Sequence, residues 1–329
     1  MRDRLGLEMR ASWVLVVLLV AAAIVFAVVA ASTGDRFYLR LATEALIFAG
    51  LALSVDILLG YTGLLSLGQA LYFGLGAYVS ALVLRDTASF WLAMAAAFVA
   101  ASVVGLVGGL IVNRVRGVYF ALITFGLAQV VAKVVYNLRS LGASDGLRGV
   151  PVVEVPLGLV RVSADDALGF FLFTLCFIVV LFALTAFFLD TAYGRVLIAL
   201  KAKEARVPFL GYSTFKARLA AYLVAAIVAT LSGALYPMLR GFVSPELMFF
   251  SVSGNALISV VIGGVGTLAG ALYGGILLTV LRSVIGSWTE HHLIVIGLLF
   301  MVTVIFLPKG LLGSVRPAIV RLLQERGQR

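Results

Sequence analysis

Apolar residues run along this chain in unbroken blocks and do not alternate with polar ones. The stretches 13 to 31, 90 to 112 and 168 to 189 are close to or above the length of about 20 residues that carries an α-helix across hydrocarbon. The period-two pattern of membrane strands is missing, so the blocks predict helices. Read together with the loop signals between them, they give ten candidate spans: 13 to 31, 39 to 59, 64 to 84, 90 to 112, 118 to 136, 168 to 189, 217 to 239, 247 to 263, 266 to 285 and 291 to 307. The divisions at 59 to 64 and 263 to 266 are Gly-rich and fit kinks or broken helices equally well, which leaves eight spans as the alternative. The expected fold class is an all-α polytopic integral membrane protein, a single transmembrane domain over 1 to 329.

Composition narrows this further. Of 329 residues, 63% are hydrophobic and 12% charged, about half the roughly 25% charged content of a soluble domain. The longest segment between spans on one side, 137 to 167, contains Gly142, Gly146, Gly149, Pro151 and Pro156 and reads as an ordered loop, not a domain. Arg2, Arg4 and Arg10 precede a first apolar run of 19 residues, longer than the roughly 7 to 15 residues of a signal-peptide core, so a retained first span is expected.

The net charge of +10 raises nucleic acid as a partner. The bases, however, lie in short loops and tails and form no continuous basic and aromatic surface, so nucleic-acid binding is excluded. Their placement instead orients the chain. With the amino terminus inside, most of the 25 basic residues fall in inner segments, including Arg2, Arg4, Arg10, Arg114, Arg116, Arg195, Lys201, Lys203, Arg206, Lys216, Arg218 and Lys309. This places 190 to 216 and both termini in the cytoplasm.

Residues with chemical potential are few. No Gly-x-x-x-x-Gly-Lys-Ser/Thr phosphate loop occurs, His291 and His292 are adjacent and unsuited to sharing a metal, and the lone Cys176 is a mid-span hydrophobe. No cofactor is expected in this chain. Glu44, Asp56, Lys133 and Arg282 are the candidates for ion coupling, or else side chains that reach an interface. Ser66, Gln69, Thr124, Gln129, Ser253 and Asn255 lie in or beside spans, where a polar group must bond another helix or face a wet translocation route. Gly266, Gly270 and Gly274 recur every four residues and predict one close-packing helix face, as do Gly105 and Gly109. The segments 60 to 74 and 263 to 274 are loosely alike, which suggests a duplicated unit with interrupted helices near the substrate route.

Six blocks in order carry a family resemblance. Gly60-Tyr61-Thr62-Gly63 with Leu65-Ser66-Leu67-Gly68-Gln69 and Phe73-Gly74-x-Gly76-Ala77-Tyr78 is followed by Arg116-Gly117-Val118-Tyr119-Phe120-Ala121-Leu122, Gly233-Ala234-Leu235-Tyr236, Gly241-Phe242-Val243-Ser244-Pro245, Gly263-Gly264-Val265-Gly266-Thr267 and Pro308-Lys309-Gly310-Leu311-Leu312-Gly313. This pattern resembles the permease subunits of branched-chain amino-acid ABC importers from about residue 45 to 313.

The resemblance implies an importer permease fold in a bacterial or archaeal plasma membrane, surrounded by membrane lipid. It implies a second permease subunit, two cytoplasmic ATPase subunits that use ATP and Mg, and an extracytoplasmic substrate-binding protein. The loop 194 to 211 then resembles the segment that docks on the ATPase, with Gly194, Arg195, Lys201, Lys203, Glu204 and Gly211 as its expected residues. Two positions depart from the family: Gln69 where His is frequent, and Pro208 where an acid is frequent. Pro208 is expected to break or kink the docking helix. The change at Gln69 keeps urea or short amides open as substrates, and a self-contained ion-coupled carrier is the alternative outside the family. A membrane-embedded enzyme would need a catalytic cluster that the sequence lacks.

Overall fold

The computed structural model describes residues 2–33, 36–156, 161–288, 291–314, 316, 317 and 320. The chain folds as helices, most of them long apolar runs without proline: α1 (Arg2–Thr33), α2 (Arg36–Asp56), α3 (Gln69–Thr87), α4 (Phe90–Val112), α5 (Val118–Asn137), α6 (Ala167–Asp190), the short basic α7 (Ala192–Lys203), α8 (Thr214–Gly233), the five-residue α9 (Tyr236–Arg240) with Pro237 in its first turn, α10 (Phe250–Gly263), α11 (Ala269–Trp288) and α12 (His292–Phe306). Among the described residues, eight helical stretches are long and apolar enough to cross a membrane.

The other two predicted spans, 64 to 84 and 247 to 263, are not among them: α3 is long enough at 19 residues but opens on Gln69 and carries Arg85 and Asp86 near its end, so it falls short in apolar content. Residues 63–68 are not helical, and α3 starts only at Gln69, with Gly68 set against Thr124 in the second turn of α5. Helix α10 has 14 residues, about 21 Å of rise and too short for a core of about 30 Å. The eight-span alternative therefore matches this count, and α3 and α10 are two further helices, α3 following the non-helical residues 63–68 and α10 following the 3-10 turn Pro245–Met248.

Helix α2 sits at the centre. Leu51, Ala52 and Leu53 are fully buried, and the helix touches α6, α8, α10 and α11. Small residues permit this: a Cβ on Gly275 of α11 would lie 2.5 Å from the Ala49 Cα, so the two backbones approach as close-packed membrane helices do. Ser232 of α8 donates its hydroxyl to the Ile47 carbonyl, which ties a third helix to the same one. On the outside of the bundle, Val17, Val99, Leu184, Leu298 and Phe306 leave apolar side chains exposed, suited to lipid.

Contacts sort the connecting segments to two ends. At one end Ser12 meets Thr267, Asn113 bonds the Phe215 carbonyl at 2.7 Å, and Arg316 bonds the Gly266 carbonyl. At the other end β1 (Leu147–Arg148) pairs antiparallel with β4 (Phe242–Val243), and Trp91 Nε1 donates to the Pro156 carbonyl at 3.0 Å. The hairpin of β2 (Glu154–Pro156) and β3 (Arg161–Ser163) belongs to this second end, in the loop between α5 and α6.

Candidate functional site

Helix α7 is a short amphipathic helix laid against the first end. Val196, Leu197 and Leu200 are buried, whereas Arg195 and Lys203 are exposed. Gly194 is required by the approach itself, because a Cβ there would collide with the Leu189 carbonyl. Lys201 keeps an exposed stem but donates its ammonium to the Gly60 carbonyl at 2.6 Å. Glu204 lies between two guanidinium groups, 2.8 Å from Arg218 Nη2 and 3.4 Å from Arg116 Nε. Lys201 and Glu204 thus bind the segment to the bundle, leaving other residues to face outward.

Those other residues follow α7. Val207 is buried as an anchor, but Phe209 is 90% and Leu210 68% exposed, with Tyr212 and Phe215 beside them also exposed. Sequence reasoning missed them; the signal was an apolar pair set between Pro208 and Gly211, just past the charged stretch 201 to 206. Pro208 corrects a second expectation. It does not break a docking helix, since α7 ends at Lys203. Pro208 opens its own 3-10 turn, Pro208–Leu210, where the missing N–H costs nothing. Gly211 closes that turn in the left-handed region at φ 79°.

Behind Lys201 lies a junction of two helix breaks. Helix α2 continues past Asp56 as a π-helical turn, Ile57–Thr62, a distortion frequent at functional positions. Asp56 is fully buried and does not reach an interface; its carboxylate accepts from Gly266 N–H at 2.6 Å and Leu268 N–H at 2.9 Å. Gly60 and Gly266 abut through their backbones. Gly266 has φ 77° in the turn before α11, so it does not stand on a helix face with Gly270 and Gly274. Gly270 and Gly274 are on α11, with their backbone against Gly263 and Ser259 of α10. Gly105 and Gly109 of α4 pack on Ala226, Leu219 and Tyr222 of α8.

The non-helical segment 63–68 brings four of the six polar candidates together. Thr124 Oγ1 accepts from Leu67 N–H at 3.1 Å, Gln69 Nε2 donates to Ser66 Oγ at 3.5 Å, and Ser253 Oγ accepts from Ala70 N–H at 2.9 Å. Ser66, Gln69 and Thr124 are buried, and the Gln69 carbonyl oxygen has no hydrogen-bond partner among the described residues. The remaining two lie elsewhere. Gln129 lines a shallow groove along α5 with Lys133 and Asn137. Asn255 lines a cavity of about 560 Å³ at the second end, together with Glu44, Arg240 and Arg282. Glu44 is paired with Arg240, and Lys133 lies over the Tyr136 ring at 5.3 Å.

The chain is 28% identical over 306 residues to the high-affinity branched-chain amino acid transport system permease protein LivM of Escherichia coli strain K12, covering 87% of this chain and 72% of that one. It is 23% identical over 290 residues to the permease protein LivH of Salmonella typhimurium, covering 84% and 93%. No solved structure matches. The family model described as the permease component of branched-chain amino acid transport systems matches residues 37–304, and the chain therefore belongs to that family of multi-pass membrane permeases.

Proposed function

We propose that this chain is one permease subunit of an ATP-driven importer for branched-chain amino acids. It forms the translocation pathway with a second permease subunit, takes substrate from an extracytoplasmic binding protein, and is driven by two cytoplasmic ATPase subunits that hold ATP and Mg. The end that carries α7 faces the cytoplasm and the cavity end faces outward. One observation carries this reading: residues 208–212 offer an exposed apolar tip, Phe209 and Leu210, on a segment that Lys201 and Glu204 fasten to the bundle. A tip of that kind suits a groove on a soluble partner, and its fastening lets a push on the tip reach the Gly60 and Gly266 junction.

The ion-coupled alternative loses its residues, since Asp56 is engaged by backbone N–H groups, Glu44 by Arg240 and Lys133 by Tyr136. The test is reconstitution in liposomes of this chain with and without its permease partner, the ATPases and the binding protein. Uptake of leucine is expected only with all components and ATP. Uptake by this chain alone under an ion gradient would overturn the reading, and uptake of urea or acetamide in place of leucine would correct the substrate.

A further inference from the structure

The cavity at the end opposite α7 is assigned by none of the features so far. Its volume of about 560 Å³ lies within the roughly 300–1,000 Å³ of small-molecule pockets. It opens between α2, α10, α11 and the segment 236–247. Two acids and two bases line it: Glu44, Glu246, Arg240 and Arg282. Glu44 and Arg240 satisfy one another. Among the described residues, neither Glu246 nor Arg282 has an ion pair, so the cavity presents one available anion and one available cation and is neutral overall.

Its apolar side is equally defined. Phe48 stacks on Phe73 at 5.2 Å and meets Tyr236 edge-on at 6.1 Å, which fixes an aromatic wall, and Leu278 faces the same space. Ser251, Asn255 and Thr279 add uncharged hydrogen-bonding groups.

A solute with net charge would leave one of the two available charges unmatched, and a neutral amide would leave both unmatched; a zwitterion answers both. We infer that this cavity is a recognition site for a zwitterionic aliphatic amino acid, whose carboxylate meets Arg282, whose ammonium meets Glu246 and whose side chain lies against Phe48 and Tyr236. The inference rests on the amino-acid reading above and adds the place where this chain itself selects its solute.

The test uses the complete reconstituted transporter, with Cys176→Ala removing the sole cysteine and Ser251→Cys placing a thiol on the cavity wall. A membrane-impermeant maleimide is expected to label the new thiol, and saturating leucine to slow labelling about tenfold, whereas acetamide leaves the rate unchanged. Arg282→Ala and Glu246→Gln each raise the leucine concentration needed for protection by about tenfold, the loss of one charge-assisted bond. Arg282→Lys, which keeps the charge, restores part of the protection and separates recognition from folding. A transporter that takes up leucine while Ser251→Cys is never labelled, or is labelled at the same rate with leucine present, overturns the site and leaves the functional reading standing. Equal protection by acetamide overturns the charge argument. A complex without leucine uptake removes the functional reading and the site with it.

Discussion

Asp56 closes a ring of contacts that links sequence positions far apart, since the N–H groups it accepts belong to residues 210 and 212 positions later. Asp56→Ala would strand both donors, the fully buried Leu268 N–H at about 1–3 kcal/mol and the half-buried Gly266 N–H at less. The expected outcome is a lower thermal midpoint of the detergent-solubilised protein, with Asp56→Asn intermediate because one oxygen still accepts; heating followed by size-exclusion chromatography measures it, and an unchanged midpoint for Asp56→Ala contradicts it. From the sequence this acid was one of four candidates for ion coupling or for reaching an interface, and its full burial was not marked. Its partners did not, because backbone N–H groups carry no residue signature and become available only where a helix breaks. Lys201 has the same history: its charge marked a loop, but nothing local announced that its ammonium ends on the Gly60 carbonyl.

Among elements, the segment proposed to dock on the ATPase divides into an anchored helix and an exposed tip, and the two should respond differently to substitution. Phe209→Asp is expected to weaken capture of the ATPase by about tenfold or more, the loss of a buried aromatic anchor, with insertion intact. Pro208→Ala should change capture little, because a turn opened by Pro tolerates Ala at the same φ. Affinity capture from membranes measures both, and equal capture by Phe209→Asp and the parent chain would remove the tip from the interface. Lys201→Met separates anchoring from docking: capture is retained, but leucine uptake falls, since the tip no longer pulls on Gly60. Uptake equal to the parent would show that force takes another route. The long helices α4 and α6 were legible almost to the residue, since unbroken apolar runs allow no other state in lipid. The starts of α3 and α10 were not, because the residues of 64–68 and 247–249 are nearly as apolar as the helices they precede, and the contacts that accompany the breaks, Leu67 N–H to Thr124 and Phe249 beside Tyr136, come from α5, distant in sequence.

At the scale of the molecule, both sets of loops are sorted by direct contact, and sidedness becomes measurable. In a Cys176→Ser chain, Tyr212→Cys is expected to react with an impermeant thiol reagent only in inside-out vesicles, and Val152→Cys only in intact cells, because both positions are exposed at opposite ends. The reverse pattern would invert the assignment of the cytoplasmic face. The charge distribution had already implied this orientation, and the six ordered motifs had implied the family; what neither contained was the cavity, whose walls come from α2, α9, α10 and α11 and exist only once those are assembled.

The meeting of Gly60 with Gly266 has a mechanical meaning. Two elbows that share a backbone contact, with a carboxylate from the first accepting N–H groups of the second, are expected to bend together. A methyl group added at Gly60 would meet the Gly266 backbone at 2.7 Å, so Gly60→Ala is expected to lower leucine uptake while leaving the outer surfaces untouched.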